Sequence, residues 1–325
     1  MKVEKWEVLE IVFQGKKDGN PFADYELTAE FSGEHVRGTV RGFYDGAGIY
    51  KVRFMPSFEG IYHYKVAGNC FIDGGENPAH CGSFEVLPAK AENHGPVRAQ
   101  DKRYLIYADK TPYHSIGTTC YAWLNQTTEL QEQTLETLKN SSFNKIRFCV
   151  FPKYYQYNEK EPASYPYVRG KRKGIDEEKA ANFFHMPFPR TKEPEDVRDF
   201  NCYQFNPEYF RNIDERVKQL AGLGIEADII LYHPYDKWDF ACMTKECNEL
   251  YLRYMIARYG AFHNVWWSMA NEYDLFHWSV EEWDAYGTLV SREDPYHHLI
   301  SIHNCMKFFD YRKEWITHCS MQRID

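Results

Sequence analysis

The sequence predicts an α/β protein, a (β/α)8 barrel of the TIM type with about six of its eight strands present, preceded by an all-β sandwich domain. Residues 1–88 alternate apolar and polar side chains without a long helical pattern, which is typical of short strands. From residue 103, apolar strands alternate with amphipathic helices six times in one direction, which favours a buried parallel sheet. No glycine-rich phosphate loop follows a strand, which disfavours a doubly wound nucleotide-binding fold.

Composition and charge exclude several classes of partner and cofactor. The 325 residues are 43% hydrophobic and 26% charged, as in ordinary globular domains, and the net charge of −8 argues against a nucleic-acid partner. The charged N-terminus lacks the apolar core of a signal peptide and no apolar run reaches membrane-spanning length, so we expect a cytoplasmic protein without a membrane partner. The nine cysteines form no CxxC pair, so we expect free thiols, no metal site and no cofactor. Aromatic residues reach 17%, which suits both a packed core and a site that stacks on sugar rings.

Three segments divide the chain. The alternation is clearest in residues 25–31, 50–54 and 62–66, and the glycine-rich stretches 45–48 and 73–75 predict turns between strands. We therefore place the sandwich at 1–88, a linker at 89–102 and the barrel at 103–325. A hairpin around the Asp109-Lys110-Thr111 turn is expected to lead into the barrel.

The barrel section has strand and helix patterns in alternation. The predicted strands are 113–118, 144–151, 225–232, 265–270, 299–303 and 316–321. The predicted helices are about 129–139, 207–222, 245–259 and 280–291, with a long insertion between the second strand and residue 205. The second helix has the clearest start, because Asn206 can cap it and Pro207 suits its first turn.

Polar residues gather where these strands end, which is where barrel enzymes carry their chemistry. The apolar strand 265–270 stops on Asn271-Glu272. A carboxylic acid at the mouth of an apolar strand can have its pKa raised, as a general acid requires, and the preceding Asn can hydrogen-bond a substrate hydroxyl. The alternative is a helix N-terminal cap, because Asn and Glu both suit that place.

Because strand 265–270 stops on Asn-Glu, residues 103–322 resemble the apiosidase-like glycosidases of clan A. In that clan, the Glu that follows Asn at the end of strand four is the acid/base. The segment 117–123 resembles a Gly-x-Thr-x-x-Trp motif, one residue longer to the Trp, and the helix start at 205–210 and Gln322 are also similar. The N-terminal sandwich resembles the immunoglobulin-like module found before such barrels. The resemblance implies a retaining glycoside hydrolase acting on oligo- or polysaccharides.

The same resemblance assigns roles to residues at the strand ends. Glu272 would be the acid/base, Asn271 the partner of a substrate 2-hydroxyl, and Arg147 a group that orients carboxylates. His233 would line the sugar subsite. The candidates for stacking on sugar rings are Trp123, Tyr154 and Trp238. For each binding residue a structural role stays open: an ion pair for Arg147, a core position for His233, and plain packing for the aromatic rings.

One requirement of retaining hydrolysis is not met by this pattern. A second carboxylate must stand about 5–5.5 Å from the acid, and in this clan it ends strand seven. Because only six strands are predicted, we expect an incomplete barrel, inactive alone, whose open edge can pair with a further segment or another copy. If the chain closes its own barrel, the carboxylate must be Asp236, Asp274 or Glu314, although the first two suit loop caps or substrate ligands better. The alternative function is a carbohydrate-binding protein without catalysis, or an inactive fragment of an enzyme.

Overall fold

The structure is a computed structural model that describes residues 1–72, 80–101, 103–183 and 195–323. The predicted turn at 73–75 lies outside these residues. Two layers of strands form the N-terminal part, and a parallel sheet with helices on its outer face forms the rest.

Strands of the N-terminal part bury alternate side chains, as period-2 patterning requires. They are β1 Lys2–Glu4, β2 Leu9–Gln14, β3 Leu27–Ser32, β4 Arg37–Arg41, β5 Phe43–Tyr44, β6 Ile49–Phe54, β7 Gly60–Gly68 and β8 Cys81–Leu87. One sheet has the order β1-β8-β7-β3-β4 and the other β2-β6-β5. The Phe31 and Phe54 rings stack between the two sheets with centroids 4.0 Å apart. In the predicted turn at 45–48, Gly46 and Gly48 have positive φ, which glycine adopts without strain.

The remaining strands build the barrel section. They are β9 Val97–Gln100, β10 Tyr104–Tyr107, β11 Gly117–Thr119, β12 Lys145–Cys149, β13 Tyr167–Arg169, β14 Phe200–Phe205, β15 Glu226–Tyr232, β16 Val265–Ala270 and β17 Ile300–Ser301. β9 and β10 pair antiparallel, so the second half of the predicted linker is a strand. The predicted hairpin keeps its turn, with the Tyr107 N–H donating to the Thr111 carbonyl at 2.8 Å and the Tyr113 N–H to the Leu105 carbonyl at 3.0 Å. Its second arm makes an isolated bridge at residue 112, a proline, which has no N–H to donate to a ladder. This hairpin packs with Tyr113 and Trp266 beneath the start of β16.

The parallel sheet has the order β11-β12-β15-β16-β17. Every neighbouring pair in it is parallel, and the strands follow one another in sequence without a reversal. A doubly wound sheet reverses its order at a switch point, whereas a barrel does not. The prediction of a barrel-type α/β fold is confirmed for these five strands.

The predicted sixth strand is wrong for the described residues. Segment 316–321 is joined to the strand before it by an isolated bridge between His303 and Ser320 and by a backbone bond from the Thr317 N–H to the Ile300 carbonyl. Side chains take the places of further ladder partners: Thr317 Oγ1 accepts from the Ile300 N–H at 2.8 Å, and the Asn304 amide bonds the Gln322 backbone. These bonds satisfy the backbone groups without extending the sheet.

Five helices are described. They are α1 Thr128–Lys139, α2 Glu177–Asn182, α3 Pro207–Gly222, α4 Lys245–Tyr259 and α5 Val280–Glu293. The predicted cap of α3 is confirmed, because the Asn206 side chain accepts from the Glu208 N–H and Pro207 begins the helix. Helices α1, α3, α4 and α5 follow β11, β14, β15 and β16, and their buried faces cover the outside of the sheet.

A buried charge network joins the sandwich to the helices. Arg53 on β6 donates to both oxygens of Asp214 on α3 at 3.1 and 2.8 Å, and Arg258 on α4 donates to the same carboxylate at 2.8 and 2.7 Å. Arg258 also reaches Asp45 of the sandwich at 2.9 Å. All four side chains are buried. Two positive and two negative charges therefore compensate one another away from water.

Candidate active site

A polar cluster lies at the carboxyl end of the parallel sheet, centred on Glu272. This residue is the second after the end of β16 and is half-buried, and its backbone is left-handed with φ +56°. It precedes the short helical turn Tyr273–Leu275, but its side chain makes no capping bond. The capping interpretation therefore does not account for the carboxylate. For residues other than Gly this backbone conformation costs free energy, and such strain is concentrated at functional sites.

Two donors hold the Glu272 carboxylate. The Tyr235 hydroxyl, which follows β15, donates to Oε2, and the Gln322 side-chain amide lies 3.4 Å from Oε1. Burial raises the pKa of Tyr235, and the charge of Glu272 raises it further, so this hydroxyl stays a neutral donor. Gln322 Nε2 also reaches the Cys305 carbonyl at 3.3 Å, which fixes the amide in place.

Asn271 lies beside the acid and is 1% exposed. Its backbone N–H donates to the Tyr232 carbonyl at 2.9 Å. Its side-chain Oδ1 is buried and makes no hydrogen bond within the described part of the chain. Because buried polar atoms are nearly always paired, an unpaired acceptor next to Glu272 is a place where a ligand group can bond.

Arg147 lies beneath this cluster, on β12. Its Nη2 donates to Ser268 Oγ at 3.1 Å, and its Nε is 3.4 Å from Asp228, which Lys145 also contacts at 3.1 Å. Burial alone would raise the pKa of Asp228, but Lys145 and Arg147 outweigh burial and lower it. The structure thus gives Arg147 an ion pair inside the sheet, as the structural alternative predicted. Its charge still lowers the pKa of His303, after the larger effect of burial.

Lys153 lies in a cage of tyrosine rings next to Glu272. The residue is 3% exposed, and its Nζ lies 3.7 Å from the ring centre of Tyr121, 4.0 Å from that of Tyr235 and 4.7 Å from that of Tyr155. Burial lowers the pKa of Lys153, while the charge of Glu272 opposes that shift. An ammonium over three rings is attracted to all of them, so it fixes the orientation of Tyr235 toward the acid.

Four of the predicted binding residues are packed away from the open surface or at its edge. His233 is 1% exposed, and its Nε2 is 3.0 Å from the Phe151 carbonyl. Burial, and next the charge of Lys153, lower the pKa of His233 to about 3.

Trp123 is 3% exposed and donates its indole N–H to the Gln131 carbonyl on α1. Trp238 is 1% exposed and packs edge-on to Tyr154, with ring centres 6.3 Å apart. The structure therefore corrects the predicted stacking role of both Trp rings, which are core residues, and it places His233 in the core. Tyr154 is half-buried beside Trp238, and Lys237 Nζ lies 4.0 Å from the centre of the Tyr154 ring.

Of the three carboxylates considered as the second catalytic group, two hold backbone amides and the third is exposed. Asp236 accepts the backbone N–H groups of residues 238 and 241 at 2.8 and 2.7 Å. Asp274 accepts those of residues 305–307 at 2.6 to 2.8 Å; burial acts to raise its pKa, but these donors outweigh burial and lower it. Glu314 is exposed, and its neighbour Trp315 packs against α5 at Gly287. Asp236 and Asp274 are loop caps, which is one of the two roles predicted for them.

Sequence reasoning did not select several residues of the cluster. They are Tyr121, Lys153, Tyr155, Tyr235 and His303. All five stand at strand ends, so the position was a usable signal. Within the described ranges, no group of three His, Cys, Asp or Glu residues could hold a metal ion. No described helix is long and apolar enough to cross a membrane.

A parallel sheet whose strands follow one another in sequence, with a hydrogen-bonded acid at its carboxyl end, is the arrangement of an enzyme of the (β/α)-barrel class. Residues 99–323 match the family described as "Apiosidase-like, catalytic domain", and the chain belongs to this family. Residues 2–69 match a domain of unknown function, DUF5060.

Solved structures are similar to the chain. The crystal structure of a "putative glycoside hydrolase" from Bacteroides vulgatus is 39% identical with a TM-score of 0.88, and the match covers 99% of this chain and 60% of that one. The chain thus spans about 60% of the length of that relative. A glycoside hydrolase family 5 structure from the same organism is 18% identical with a TM-score of 0.48, and the match covers 69% of this chain and 43% of that one. No curated protein matches the chain.

Proposed function

We propose that the protein cleaves O-glycosidic bonds in oligo- or polysaccharides by a retaining mechanism, with Glu272 as the general acid/base. The observation that carries the proposal is the Glu272 carboxyl at the end of β16, bonded by Tyr235 and Gln322 beside the unpaired Oδ1 of Asn271. Membership of the apiosidase-like family and the likeness to the 39% identical structure support it.

The two donors suit both halves of an acid/base cycle. In the first half, the protonated carboxyl gives its proton to the leaving-group oxygen. The carboxylate that results is stabilised, because Tyr235 donates to one oxygen and Gln322 lies within reach of the other. In the second half, the same carboxylate takes a proton from water as the glycosyl intermediate is hydrolysed. In the proposed mechanism the unpaired Oδ1 of Asn271 accepts a hydrogen bond from a substrate hydroxyl.

A specific observation favours a second candidate function, carbohydrate binding without turnover. Retention requires a nucleophile about 5–5.5 Å from the acid. Asp236 and Asp274 hold backbone amides, and Glu314 is exposed next to Trp315, which packs on α5. Under this alternative the described residues around Glu272 bind a sugar, and none of these three carboxylates serves as the nucleophile.

Aryl glycosides test the two candidates. Glu272→Gln is expected to lower the turnover of poor leaving groups far more than that of activated ones, because only poor leaving groups need the proton. Glu314→Gln, at an exposed position, is the matched control and should leave both rates unchanged. An equal loss for both substrate types would contradict the acid/base role. A wild-type chain that binds oligosaccharides without any turnover would support the binding function instead.

A further inference from the structure

A row of three tyrosines leads from the acid to the open surface. Tyr235 donates its hydroxyl to Glu272. The Tyr155 ring follows, 6.1 Å from the Tyr235 ring and tilted by 57°, and the Tyr157 ring lies 5.5 Å beyond it at 79°. Tyr235 and Tyr155 are half-buried, whereas Tyr157 is 80% exposed. We call Tyr235, Tyr155 and Tyr157 the tyrosine row.

The exposed end of the row is held by a closed turn. Tyr155 and Asn158 exchange backbone bonds of 3.2 and 2.7 Å, which leaves Tyr157 near the tip. Asn158 is buried at 8% exposure, donates its amide to the Lys153 carbonyl at 2.8 Å and accepts from the Gln126 amide at 3.0 Å. The turn is therefore anchored from below, and the ring of Tyr157 stands in water on a fixed support.

The inner end of the row is held by charge. Lys153 faces the rings of both Tyr155 and Tyr235, so one buried ammonium orients the two. Tyrosine pairs an apolar ring with a polar tip and loses little conformational freedom on contact, which suits the C–H face and the hydroxyls of a sugar. A line of such rings that begins at the acid offers successive sugar units one contact each.

We propose that the tyrosine row binds consecutive sugar units, so that the substrate is a carbohydrate chain extending from Glu272 past Tyr157. This inference deepens the proposed function and rests on it for the place where the bond is cleaved. It specifies the class of substrate: an oligosaccharide of at least three units or a polysaccharide, in preference to a small glycoside. Tyr157 then determines chain-length preference without touching the reacting atoms.

Binding to the full chain tests the row separately from catalysis. The probes are galactomannan, xylan, arabinan and polygalacturonan in affinity gels, followed by calorimetry with di- to hexasaccharides from whichever polymer binds. Tyr157→Ala is expected to weaken hexasaccharide binding by about five- to tenfold and to leave disaccharide binding unchanged. Tyr104→Ala is the matched control, because Tyr104 is 68% exposed on the β9–β10 hairpin beneath the other end of the sheet.

Each outcome decides between the row and the catalytic proposal. Equal hexasaccharide binding by Tyr157→Ala and wild type would overturn the row, as would an equal loss for disaccharides and hexasaccharides. Hydrolysis of aryl glycosides by a wild-type chain that binds none of the four polymers would overturn the row and leave the catalytic proposal standing. Length-dependent binding that Tyr157→Ala removes, in a chain without turnover, would support the row and count against the catalytic proposal.

Discussion

Glu226 makes the stability of the fold depend on pH. It begins β15, at the end of the sheet opposite the candidate site, and is 2% exposed with the Trp266 indole donating to it at 2.7 Å. Burial raises the pKa of its carboxyl from 4.5 to about 8, although Trp266, Arg98 and Lys145 oppose the rise. Between these values the unfolded chain releases the proton and the folded chain keeps it. The free energy of unfolding should then fall by about 1.4 kcal/mol per pH unit, or about 5 kcal/mol in total.

Glu226→Gln removes this titration and retains the shape. Relative to wild type, the variant should gain about 5 kcal/mol as pH rises from 4.5 to above 8, which corresponds to about 7 °C in Tm for a chain of this length. Differential scanning calorimetry at pH 5 and 8.5 covers about 4 of these 5 kcal/mol, or about 6 °C. Glu215→Gln, on the exposed face of α3, is the control. A wild-type-to-variant difference that is the same at both pH values would refute the reasoning.

Three further perturbations follow from the same structure. Arg53→Ala leaves Asp214 with one cation fewer and should lower the free energy of unfolding, measured with denaturant, by about 3–5 kcal/mol. Arg41→Ala, at a half-exposed side chain, should lower it by less than about 1 kcal/mol, and similar losses for the two variants would contradict the network. Glu272→Asn should be more stable than Glu272→Gln by about 1 kcal/mol, because Asn adopts the left-handed backbone more readily, and equal stabilities would rule out strain. His233 is neutral when buried, so stability should fall as pH drops from 6.5 toward 3; His233→Gln should lessen that slope by about 1.4 kcal/mol per pH unit, and an unchanged slope would show that His233 takes up a proton in the folded state.

Much of the fold is readable from the sequence because burial imposes periodicity. Strand β16 and helix α4 have the predicted bounds, since each carries an uninterrupted pattern flanked by a clear stop. Segment 316–321 has an apolar start as well, yet side chains such as Thr317 satisfy the neighbouring backbone in place of a sheet partner. The bond that replaces the sheet partner joins two residues 17 positions apart, and the periodicity of the sequence does not encode a bond over that distance.

The candidate site is readable to the level of position but not of side-chain direction. Strand order indicated Glu272 and Asn271, because the carboxyl ends of parallel strands meet at one edge. The aromatic residues were harder: Tyr154 and Tyr155 are adjacent, yet the Tyr155 ring lies against Lys153 and the Tyr235 ring, and the Tyr154 ring lies against Lys237 and Trp238. Trp123 reads as a stacking residue from its place after β11, yet its indole N–H bonds to α1. Neighbouring residues point in different directions, and the direction is settled by packing.

The charge network between sandwich and helices bears on how such chains can be recombined. Asp214 and Arg258 belong to the two helices that flank β15, the strand leading to Tyr235, and their counter-charges Arg53 and Asp45 come from the other side of the junction near residue 88. A sandwich transplanted from a relative would seat on this barrel only if it brought an arginine and an aspartate to the same two places. The junction near residue 88 therefore separates two parts whose charged residues depend on each other. A chimaeric protein joined at this junction must keep the sandwich residues and the helix residues of the network together.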